Sequence, residues 1–469
     1  MSDKKYMLLI TDMMIFVIGT VMTKVIQFLL MPLYTTYMST EAYGIAELTN
    51  NMSELFFPII TLCIYEATFR FVIESKFSKE EILTASIKIL FISFLISFIV
   101  LIIINSFFSY KYVLYFYFIL YSYSLKMLLL YYVRAKGYSK LVASSGIIEA
   151  IFLAIFNVVF LLFLKLAVTG YLLAIGFAYL LSVIYLFTRG QAYKEINLNL
   201  QTNIITKELL AYSVPLIMYN VGYWLSLMSG RYILLWKTDA SIAGTYAAVI
   251  KIAAVINMLQ QAFYAAFQLN TSRAYEDDRK EEYYSIIFNL YSSIVLCLGS
   301  IIICFAPLLA TFTLKNQFYS ARVYLPLILF TAILDCIFCF YKTMYTTYKL
   351  TRRAVPSMII GAIVNIFVCL VTVTKFGIWG ICAANFLCYI SQAIYRVFDV
   401  KKFINLNCNW KIILVNIFIM CIQVILLSLN EVIYIKISWS LAALIFIINI
   451  IVYNKAYYNM AFAIYRRFK

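Results

Sequence analysis

Long, uninterrupted apolar runs are the feature that most restricts what this chain can fold into. About fourteen of them, each of roughly 20 residues or more, are separated by short polar connections. Of the 469 residues, 64% are hydrophobic and 13% are charged, whereas a soluble domain is nearer half apolar and a quarter charged. A helix of this length crosses a bilayer, and membrane β-strands would instead alternate apolar and polar residues. The sequence therefore predicts an all-α, polytopic membrane protein.

The spans and their orientation can be read from these runs and from the distribution of Lys and Arg. The predicted spans are 8–31, 43–70, 83–104, 112–133, 141–164, 168–188, 209–236, 242–269, 285–311, 322–347, 355–374, 377–398, 411–430 and 433–453. The termini and the even-numbered connections carry roughly 24 Lys and Arg residues, against 7 on the other side. Because basic residues accumulate on the cytoplasmic side, we expect both termini to be cytoplasmic. This bias explains most of the net charge of +17, so we expect no nucleic-acid partner.

Several classes of enzyme and cofactor site are disfavoured by the sequence. The ten cysteines lie mostly inside spans, and the Cys336-x-x-Cys339 pair has no second pair and no His to complete a metal site. No G-x-x-x-x-G-K nucleotide loop is present. All outer loops are too short to form a catalytic domain. We therefore predict a protein that is not an enzyme, with no cofactor and no metal.

Two internal matches indicate a duplicated six-span unit. In the first match, which lies 200 positions apart, Gly44 falls on Gly244. In the second match, in the same order along the chain, Gly170 falls on Gly380. Six spans are an even number, so the two halves would point the same way, as a parallel repeat about an axis along the membrane normal. The predicted division is an N-terminal six-helix lobe at 1–208, a C-terminal six-helix lobe at 209–403, and two further helices with a cytoplasmic tail at 404–469.

Basic side chains inside the spans are the main functional signal. Lys24, Arg231 and Lys251 lie in the first, seventh and eighth predicted spans. A basic side chain in hydrocarbon costs a few kcal/mol or more, so it normally faces a bundle interior or a water-filled cavity. Lys24 and Arg231 could alternatively snorkel to the outer interface, whereas Lys251 starts about 13 Å inside its span. These residues predict a cavity that binds an anion.

Amide side chains share helical faces in the same spans. Gln27 comes after Lys24 at helical spacing, Asn220 precedes Arg231, and the eighth span carries its own amide row. Such a wall suits sugar hydroxyls, although the amides could equally join neighbouring helices. The predicted substrate-binding residues are Lys24, Gln27, Asn220, Arg231, Lys251, Asn257 and Gln261.

Acidic residues within the spans are candidates for ion coupling. A carboxylate at membrane depth can bind a proton or Na⁺ during a transport cycle. We predict this role for Glu54 in the second span and Asp335 in the tenth. The alternative is a structural ion pair within one lobe, such as Glu54 with Lys126 of the fourth span.

Short motifs in the seventh and eighth spans and at the corner between the first and second spans carry a family resemblance. They are Tyr212-Ser213-x-Pro215-Leu216, Arg231-Tyr232-Ile233-Leu234, Ala243-Gly244-x-Tyr246, Lys251-Ile252, Pro32-Leu33-Tyr34 and Ala42-Tyr43-Gly44-Ile45. Together with the length and the fourteen spans, they resemble the Wzx-type oligosaccharide flippases of the multidrug/oligosaccharidyl-lipid/polysaccharide exporter (MOP) superfamily. The family often has Asp-Arg-Tyr where this chain has Gly230-Arg231-Tyr232, so the resemblance implies that Arg231 is less neutralised here.

The resemblance also implies a function. Two six-helix lobes would open a central cavity alternately to each side and move an undecaprenyl-diphosphate-linked oligosaccharide across the bacterial inner membrane, for O-antigen or capsule synthesis. The implied partners are this lipid-linked cargo, H⁺ or Na⁺, membrane lipids, a polysaccharide polymerase and a chain-length regulator. A Na⁺- or H⁺-driven small-molecule exporter and a peptidoglycan-precursor flippase on the same fold are the alternatives. The sugar repeat, the coupling ion and the oligomeric state stay open.

Overall fold

Helices joined by short turns form the chain wherever its structure is described. A computed structural model describes residues 25–197, 199–254, 256, 260, 280–348, 350, 353–429 and 431–468. The α-helices are α1 (Val25–Tyr37), α2 (Thr40–Ile60), α3 (Ile64–Glu74), α4 (Lys79–Phe108), α5 (Val113–Ala135), α6 (Ser139–Asn157), α7 (Ala167–Arg189), α8 (Asn203–Lys237), α9 (Ala240–Ala254), α10 (Lys280–Cys304), α11 (Ala306–Thr313), α12 (Leu325–Thr347), α13 (Ala354–Phe376), α14 (Ile378–Val400), α15 (Trp410–Ser428) and α16 (Val432–Phe468). A π-helical turn (Val158–Phe163) extends α6, and two 3₁₀ segments are Ala192–Glu195 and Asn316–Val323.

The membrane spans agree with the predicted class. Within the described ranges, ten helices are long and apolar enough to cross a bilayer, and the bent pair α2–α3 makes an eleventh span. The other three predicted spans correspond to α1, α8 and α9, and the first and last of these adjoin residues outside the described ranges. The prediction of an all-α, polytopic membrane protein is confirmed.

The second span is broken where a continuous helix was predicted. Its two halves, α2 and α3, meet at an angle of 53°. Leu62 and Cys63 adopt left-handed φ values of 50° and 52°, which L-residues other than Gly rarely adopt. Backbone hydrogen bonds span the break, from the Cys63 N–H to the Pro58 oxygen at 3.2 Å and from the Ile64 N–H to the Thr61 oxygen at 3.0 Å. Broken spans of this kind are tolerated where they are buried in protein or line a water-filled cavity.

The duplicated segments begin their helices in the same way. In α2 the Ser39 hydroxyl accepts a hydrogen bond from the Ala42 backbone N–H at 3.1 Å. In α9, 200 positions later, the Asp239 carboxylate accepts one from the Ile242 N–H at 2.8 Å. A side-chain oxygen that caps a helix N-terminus typically contributes about 0.5–2 kcal/mol. The two matching segments therefore share a local folding signal.

The second pair of matching segments shares a close helix contact. A Cβ added to Gly170, at the start of α7, would lie 3.1 Å from the Cβ of Phe160. A Cβ added to Gly380, at the start of α14, would lie 2.8 Å from the backbone carbonyl carbon of Thr372. In both places the missing side chain lets a helix begin against the end of the preceding one. This agreement supports the internal repeat.

The chain divides into two compact units. The first comprises Met1–Tyr232 and the second Ile233–Lys469, so the division falls inside α8. The first unit buries an apolar core made chiefly by α3, α4 and α5, which includes Phe71, Leu83 and Tyr132. The predicted lobe limits, 1–208 and 209–403, stay a prediction.

Candidate functional site

Arg231 lies on a helix that is fixed to the second span. The Tyr232 hydroxyl donates to the backbone oxygen of Leu48 at 3.1 Å, and the Trp224 indole N–H donates to that of Asn51 at 3.2 Å. The rings of Trp224 and Tyr232 are 5.3 Å apart. These contacts hold α8 against α2 within the first unit. Arg231, adjacent to Tyr232 on α8, is half-buried beside them.

Two carboxylates of α2 and Arg231 are electrostatic neighbours of the same tyrosine. The charges of Glu47, Glu54 and Arg231 all interact electrostatically with the Tyr232 hydroxyl. Glu47 is 3% exposed and accepts a hydrogen bond from Tyr171 of α7. Two carboxylates of the neighbouring helix and Arg231 thus have Tyr232 as a common neighbour, and Gly230 stands where the resembling family often has an acid. Arg231 and Glu54, two predicted site residues, are therefore both electrostatic neighbours of Tyr232.

Three tyrosines surround the buried Glu47 carboxylate. The ring centroids of Tyr34 and Tyr171 are 5.0 Å apart, and those of Tyr43 and Tyr171 are 6.0 Å apart. Arg231 acts electrostatically on Tyr43 as well. Phenolic O–H groups can donate to a carboxylate and so offset part of the cost of burying it. The α1–α2 corner, α7 and α8 are linked electrostatically through this cluster.

A buried ion pair joins α5 to α6. Lys126 Nζ lies 3.0 Å from Glu149 Oε2, and the two side chains are 9% and 13% exposed. The ammonium group also lies 4.1 Å from the centroid of the Tyr179 ring. Lys126 is thus bonded to Glu149, which argues against the pairing with Glu54 that the sequence left open. Glu54 is exposed on α2, and its charge, like that of Glu149, interacts electrostatically with the Tyr179 hydroxyl.

Asn220 faces the break in the second span. Its side-chain amide donates to Glu66 Oε1 at 3.4 Å and to Cys63 Sγ at 3.5 Å, and it also bonds the Leu216 carbonyl on its own helix. Glu66 lies in the first turn of α3, where a negative charge is favoured by the helix dipole. No sequence signal pointed to Glu66, because it falls in the predicted end of one continuous span.

In the second unit, Lys251 is half-buried near the described end of α9. On the same helix, the Tyr246 hydroxyl accepts a hydrogen bond from Asn385 of α14 at 2.6 Å. Asn365 of α13 donates to Asn385 at 2.8 Å. An amide network therefore links three helices of this unit about one and a half turns before Lys251.

Asp335 lies midway along α12 and is half-buried. Arg396 and Lys342 act on its carboxylate, and the Gln260 side chain hydrogen-bonds to it. By sequence alone Arg396 belongs with the charges of an inner connection, but it lies within α14 and is 5% exposed. The acid predicted for ion coupling thus has two basic neighbours in its own unit.

The other predicted site residues lie in α1 or beyond the described ranges. Gln27 is half-buried in α1. Lys24, Asn257 and Gln261 lie outside the described residues. Among the residues that the structure describes, no group of three or more His, Cys, Asp or Glu side chains could hold a metal ion.

Comparisons with known proteins place this fold. The sequence matches no protein-family model and no curated protein. The structure is similar to that of the lipid II flippase MurJ in an inward-closed conformation, with a TM-score of 0.67 and 14% identity over 94% of this chain and 99% of that one. It is also similar to a MOP-superfamily transporter from Pyrococcus furiosus (TM-score 0.57, 13% identity, 84% of this chain and 96% of that one).

A further similar structure is an inward-facing MATE family multidrug-resistance transporter of the MOP superfamily. Its TM-score is 0.58, with 13% identity over 77% of this chain and 93% of that one. All three likenesses extend over most of both chains, so they concern the whole helical architecture. This polytopic membrane protein therefore has the fold of the MOP-superfamily transporters.

Proposed function

We propose that this protein is a flippase that moves undecaprenyl-diphosphate-linked oligosaccharide repeat units across the bacterial inner membrane, for surface polysaccharides such as O-antigen or capsule. It would do so by alternating access, with both termini in the cytoplasm. The polysaccharide polymerase and the chain-length regulator are its proposed protein partners, and membrane lipids surround it.

The observation that carries this proposal is the presence of basic side chains at membrane depth. Arg231 lies six residues before the end of α8, or about 9 Å at 1.5 Å per residue. Lys251 lies eleven residues into α9, or about 16 Å. Both are half-buried in helices of apolar composition. A diphosphate is a compact anion that Arg and Lys recognise through charge-assisted hydrogen bonds.

The test is surface polysaccharide production by single variants in the native host. Arg231→Ala and Lys251→Ala should each abolish the surface polymer while the protein still inserts in the membrane. Lys237→Ala is the matched control. Lys237 lies at the end of α8, and its ammonium group lies over the Trp236 ring. Basic residues are common at such helix ends, where they meet the membrane–water interface. Normal surface polymer in both depth variants would contradict the proposal.

A peptidoglycan-precursor flippase is the second candidate. The likeness to the lipid II flippase MurJ, over 94% of this chain, favours it. The two candidates differ in the group that the diphosphate carries, a repeat-unit glycan or a peptide-bearing disaccharide. Vesicles with purified protein and each lipid in turn decide between them: the flippase moves its own cargo to the outer leaflet faster than protein-free vesicles do.

A Na⁺- or H⁺-driven small-molecule exporter also remains compatible with the fold. The inward-facing MATE transporter favours it, because that protein is a multidrug-resistance transporter. Gradient-driven export of small cations by vesicles that move neither lipid would support the exporter and contradict both flippase proposals.

We further propose that H⁺ or Na⁺ drives the cycle through Glu54 and Asp335. Glu54 is exposed on α2 and, like Arg231, interacts electrostatically with Tyr232. Asp335 lies at the middle of α12. Glu54→Gln and Asp335→Asn should each remove the dependence of transport on a proton or sodium gradient. Gradient dependence that is unchanged in both variants would exclude these acids from coupling.

The predicted substrate contacts complete the proposal. Gln27, Asn220, Asn257 and Gln261 are the proposed contacts for sugar hydroxyls, and Lys24, Arg231 and Lys251 are the proposed contacts for the diphosphate. In the conformation described, the Asn220 amide nitrogen contacts Glu66 and Cys63. The cargo would therefore have to compete with these contacts at the break in the second span.

A further inference from the structure

Glu47 is a buried acid that has a place neither among the proposed cargo contacts nor among the proposed coupling acids. It lies seven residues after the start of α2, about 11 Å along the helix, and its side chain is buried. Its Oε1 accepts a hydrogen bond from the hydroxyl of Tyr171, a buried residue of α7. A carboxylate at membrane depth is costly unless it is paired or hydrogen-bonded. Either the fold or the transport cycle must therefore account for Glu47.

Two more tyrosines pack against Tyr171. The ring centroid of Tyr34, in α1, lies 5.0 Å from that of Tyr171 and 5.8 Å from that of Tyr43. The centroids of Tyr43 and Tyr171 are 6.0 Å apart. Tyr43 precedes Glu47 by four residues, which places both on one face of α2. Glu47 and the three phenols thus form one compact group within the first unit.

The second unit builds the corner before its own matching helix in the same way. In the first unit, the Met38 backbone N–H donates to the Tyr34 backbone oxygen at 2.9 Å. In the second unit, 200 positions later, the Thr238 N–H donates to the Leu234 oxygen at 2.9 Å. The helices that follow begin with equivalent caps. The two corners therefore share their local backbone hydrogen bonding, and residues at equivalent positions can be compared directly.

Apolar residues occupy the equivalent positions in the second unit. The equivalents of Tyr34, Tyr43, Glu47 and Tyr171 are, in that order, Leu234, Ala243, Ala247 and Ile381. All four of these residues are buried. The fold of the corner therefore forms without a carboxyl group or a hydroxyl group. Because the architecture does not require the Glu47 carboxyl, its burial favours a role in the cycle.

We propose that Glu47 is a proton-binding site of the first unit. A proton from water on the predicted outer side, where the α1–α2 corner lies, adds to a carboxylate oxygen of Glu47. The same O–H bond breaks when the proton leaves to water on the cytoplasmic side. Tyr171 directs its O–H at the acid, an arrangement that stabilises a negative charge and is unsuited to a metal ion. This inference rests on the ion-driven cycle of the proposed function, but not on the identity of the cargo.

The backbone beside Glu47 holds the helix that bears Arg231. The oxygen of Leu48, the next residue, accepts the hydrogen bond from Tyr232 at 3.1 Å. Gain or loss of the Glu47 charge therefore acts one residue away from the contact between α2 and α8. The titratable and charged groups around this part of α2 come from α1, α2, the turn before α5, α7 and α8. They are Tyr34, Tyr43, Tyr110, Tyr171, Tyr179, Arg231 and Tyr232.

The experiment is infrared difference spectroscopy of the purified full chain in nanodiscs of neutral lipid, titrated from about pH 9 to about pH 4. A carboxylate that gains a proton adds a C=O stretching band. The wild type should show a reversible band of this kind that is absent in Glu47→Gln and kept in Glu54→Gln.

Two tyrosine variants assign the band by contact. Tyr171→Phe should move it to higher frequency, because a hydrogen bond donated to a carbonyl lowers its stretching frequency and this one is lost. Tyr110→Phe is the matched control, since the Tyr110 hydroxyl bonds to Thr49, two residues from Glu47, and the band should stay in place.

Three results would overturn the proposal. The first is a wild-type spectrum that differs from that of Glu47→Gln by no acid-induced band, because Glu47 then keeps one protonation state over this range. The second is a band that Tyr171→Phe leaves at its original frequency. The third is failure of both Glu47→Gln and Glu47→Ala to insert, since the acid then holds the fold even though Ala247 occupies the equivalent position.

Surface polymer separates the proton site from the proposed function. Glu47→Gln should abolish the polymer, whereas Glu47→Asp, which can still bind a proton, should keep part of it; normal polymer in Glu47→Gln would remove Glu47 from the cycle. If the Glu47 band titrates but Arg231→Ala and Lys251→Ala make normal polymer, the proton site stands and the proposed cargo fails. Polymer loss in those two variants without a Glu47 band leaves the function and removes the site.

Discussion

The Lys126–Glu149 pair offers a direct test of how this membrane protein holds a buried charge. We predict that Glu149→Leu lowers the free energy of unfolding by about 3–5 kcal/mol, because an ammonium that is 9% exposed loses a carboxylate 3.0 Å away. The contact with the Tyr179 ring, at 4.1 Å, is retained in this variant, so the ammonium keeps one favourable partner and the loss should lie toward the lower end of this range. Lys126→Met should cost a similar amount, since it leaves the carboxylate alone.

The double variant Lys126→Met/Glu149→Leu should recover most of the loss. Replacing a buried ion pair by apolar residues of similar volume is often neutral or stabilising, so we expect it within about 1 kcal/mol of the wild type. The assay is equilibrium unfolding of the protein in mixed micelles by increasing SDS, monitored with a thiol-reactive dye. Seven of the ten cysteines are buried, so the dye reports unfolding.

The exposed pair Lys76–Glu208 is the matched control. Its atoms are 2.7 Å apart, but its side chains are 59% and 36% exposed. An exposed pair typically contributes about 0–1 kcal/mol, so the same double-variant cycle should give a small coupling energy. If Glu149→Leu is as stable as the wild type, or if the double variant loses the sum of the two single losses, burial of the pair does not govern its energy.

Two further predictions use the same unfolding assay. Gly380→Ala should lower the free energy of unfolding by about 1–3 kcal/mol, because the new Cβ would meet the Thr372 backbone at 2.8 Å. Gly222→Ala is the control and should be neutral or stabilising, because a Cβ there has nothing within 4 Å; equal losses in the two variants would contradict the packing explanation. Gln423→Leu should cost about 1–3 kcal/mol, because the fully buried Gln423 side chain accepts a hydrogen bond from Ser300 at 2.8 Å and the substitution leaves that hydroxyl unpaired. A Gln423→Leu protein that unfolds at the wild-type SDS concentration would contradict the second prediction.

The sequence predicted the helical class and the repeat from signals that are local or periodic. A continuous apolar run specifies a span because backbone groups must be satisfied within the helix in lipid. Ser39 and Asp239 cap equivalent helices, and Gly170 and Gly380 allow equivalent close contacts. Each of these features depends on a residue and its near neighbours along the chain. They could therefore be recognised without the tertiary structure.

The break in the second span could not be predicted in this way. Pro58 is a local signal that the helix can bend, but Thr61, Leu62 and Cys63 include neither Gly nor Pro and the apolar run continues through them, so the position of the break is not given by the sequence. The left-handed values at Leu62 and Cys63 are accompanied by a contact from Asn220, which is 157 positions from Cys63 in the sequence. Periodicity carries no information about such a partner.

The partners of the charged residues could not be predicted from the sequence either. The sequence left a pairing of Lys126 with Glu54 open, and only the packing of α5 on α6 places Lys126 on Glu149. Arg396 lies close to a predicted inner connection in the sequence, yet it is packed between α13 and α14 and is only 5% exposed. Charge at a helix end is thus ambiguous until its neighbours are known.

The repeat itself supplies a last prediction about the proposed cargo site. Asn51 of α2 and Lys251 of α9 are equivalent positions, so the fold accepts an amide at this depth in one unit. Lys251→Asn should therefore insert and unfold like the wild type, whereas surface polymer should be lost because the positive charge is gone. Membrane-fraction yield, SDS unfolding and polymer staining measure these three properties. A Lys251→Asn protein that is unstable would assign the lysine to the fold, and a stable one that still makes polymer would take Lys251 out of cargo recognition. Because the two halves share their caps and glycine contacts, a difference such as this one is where we expect the function to reside.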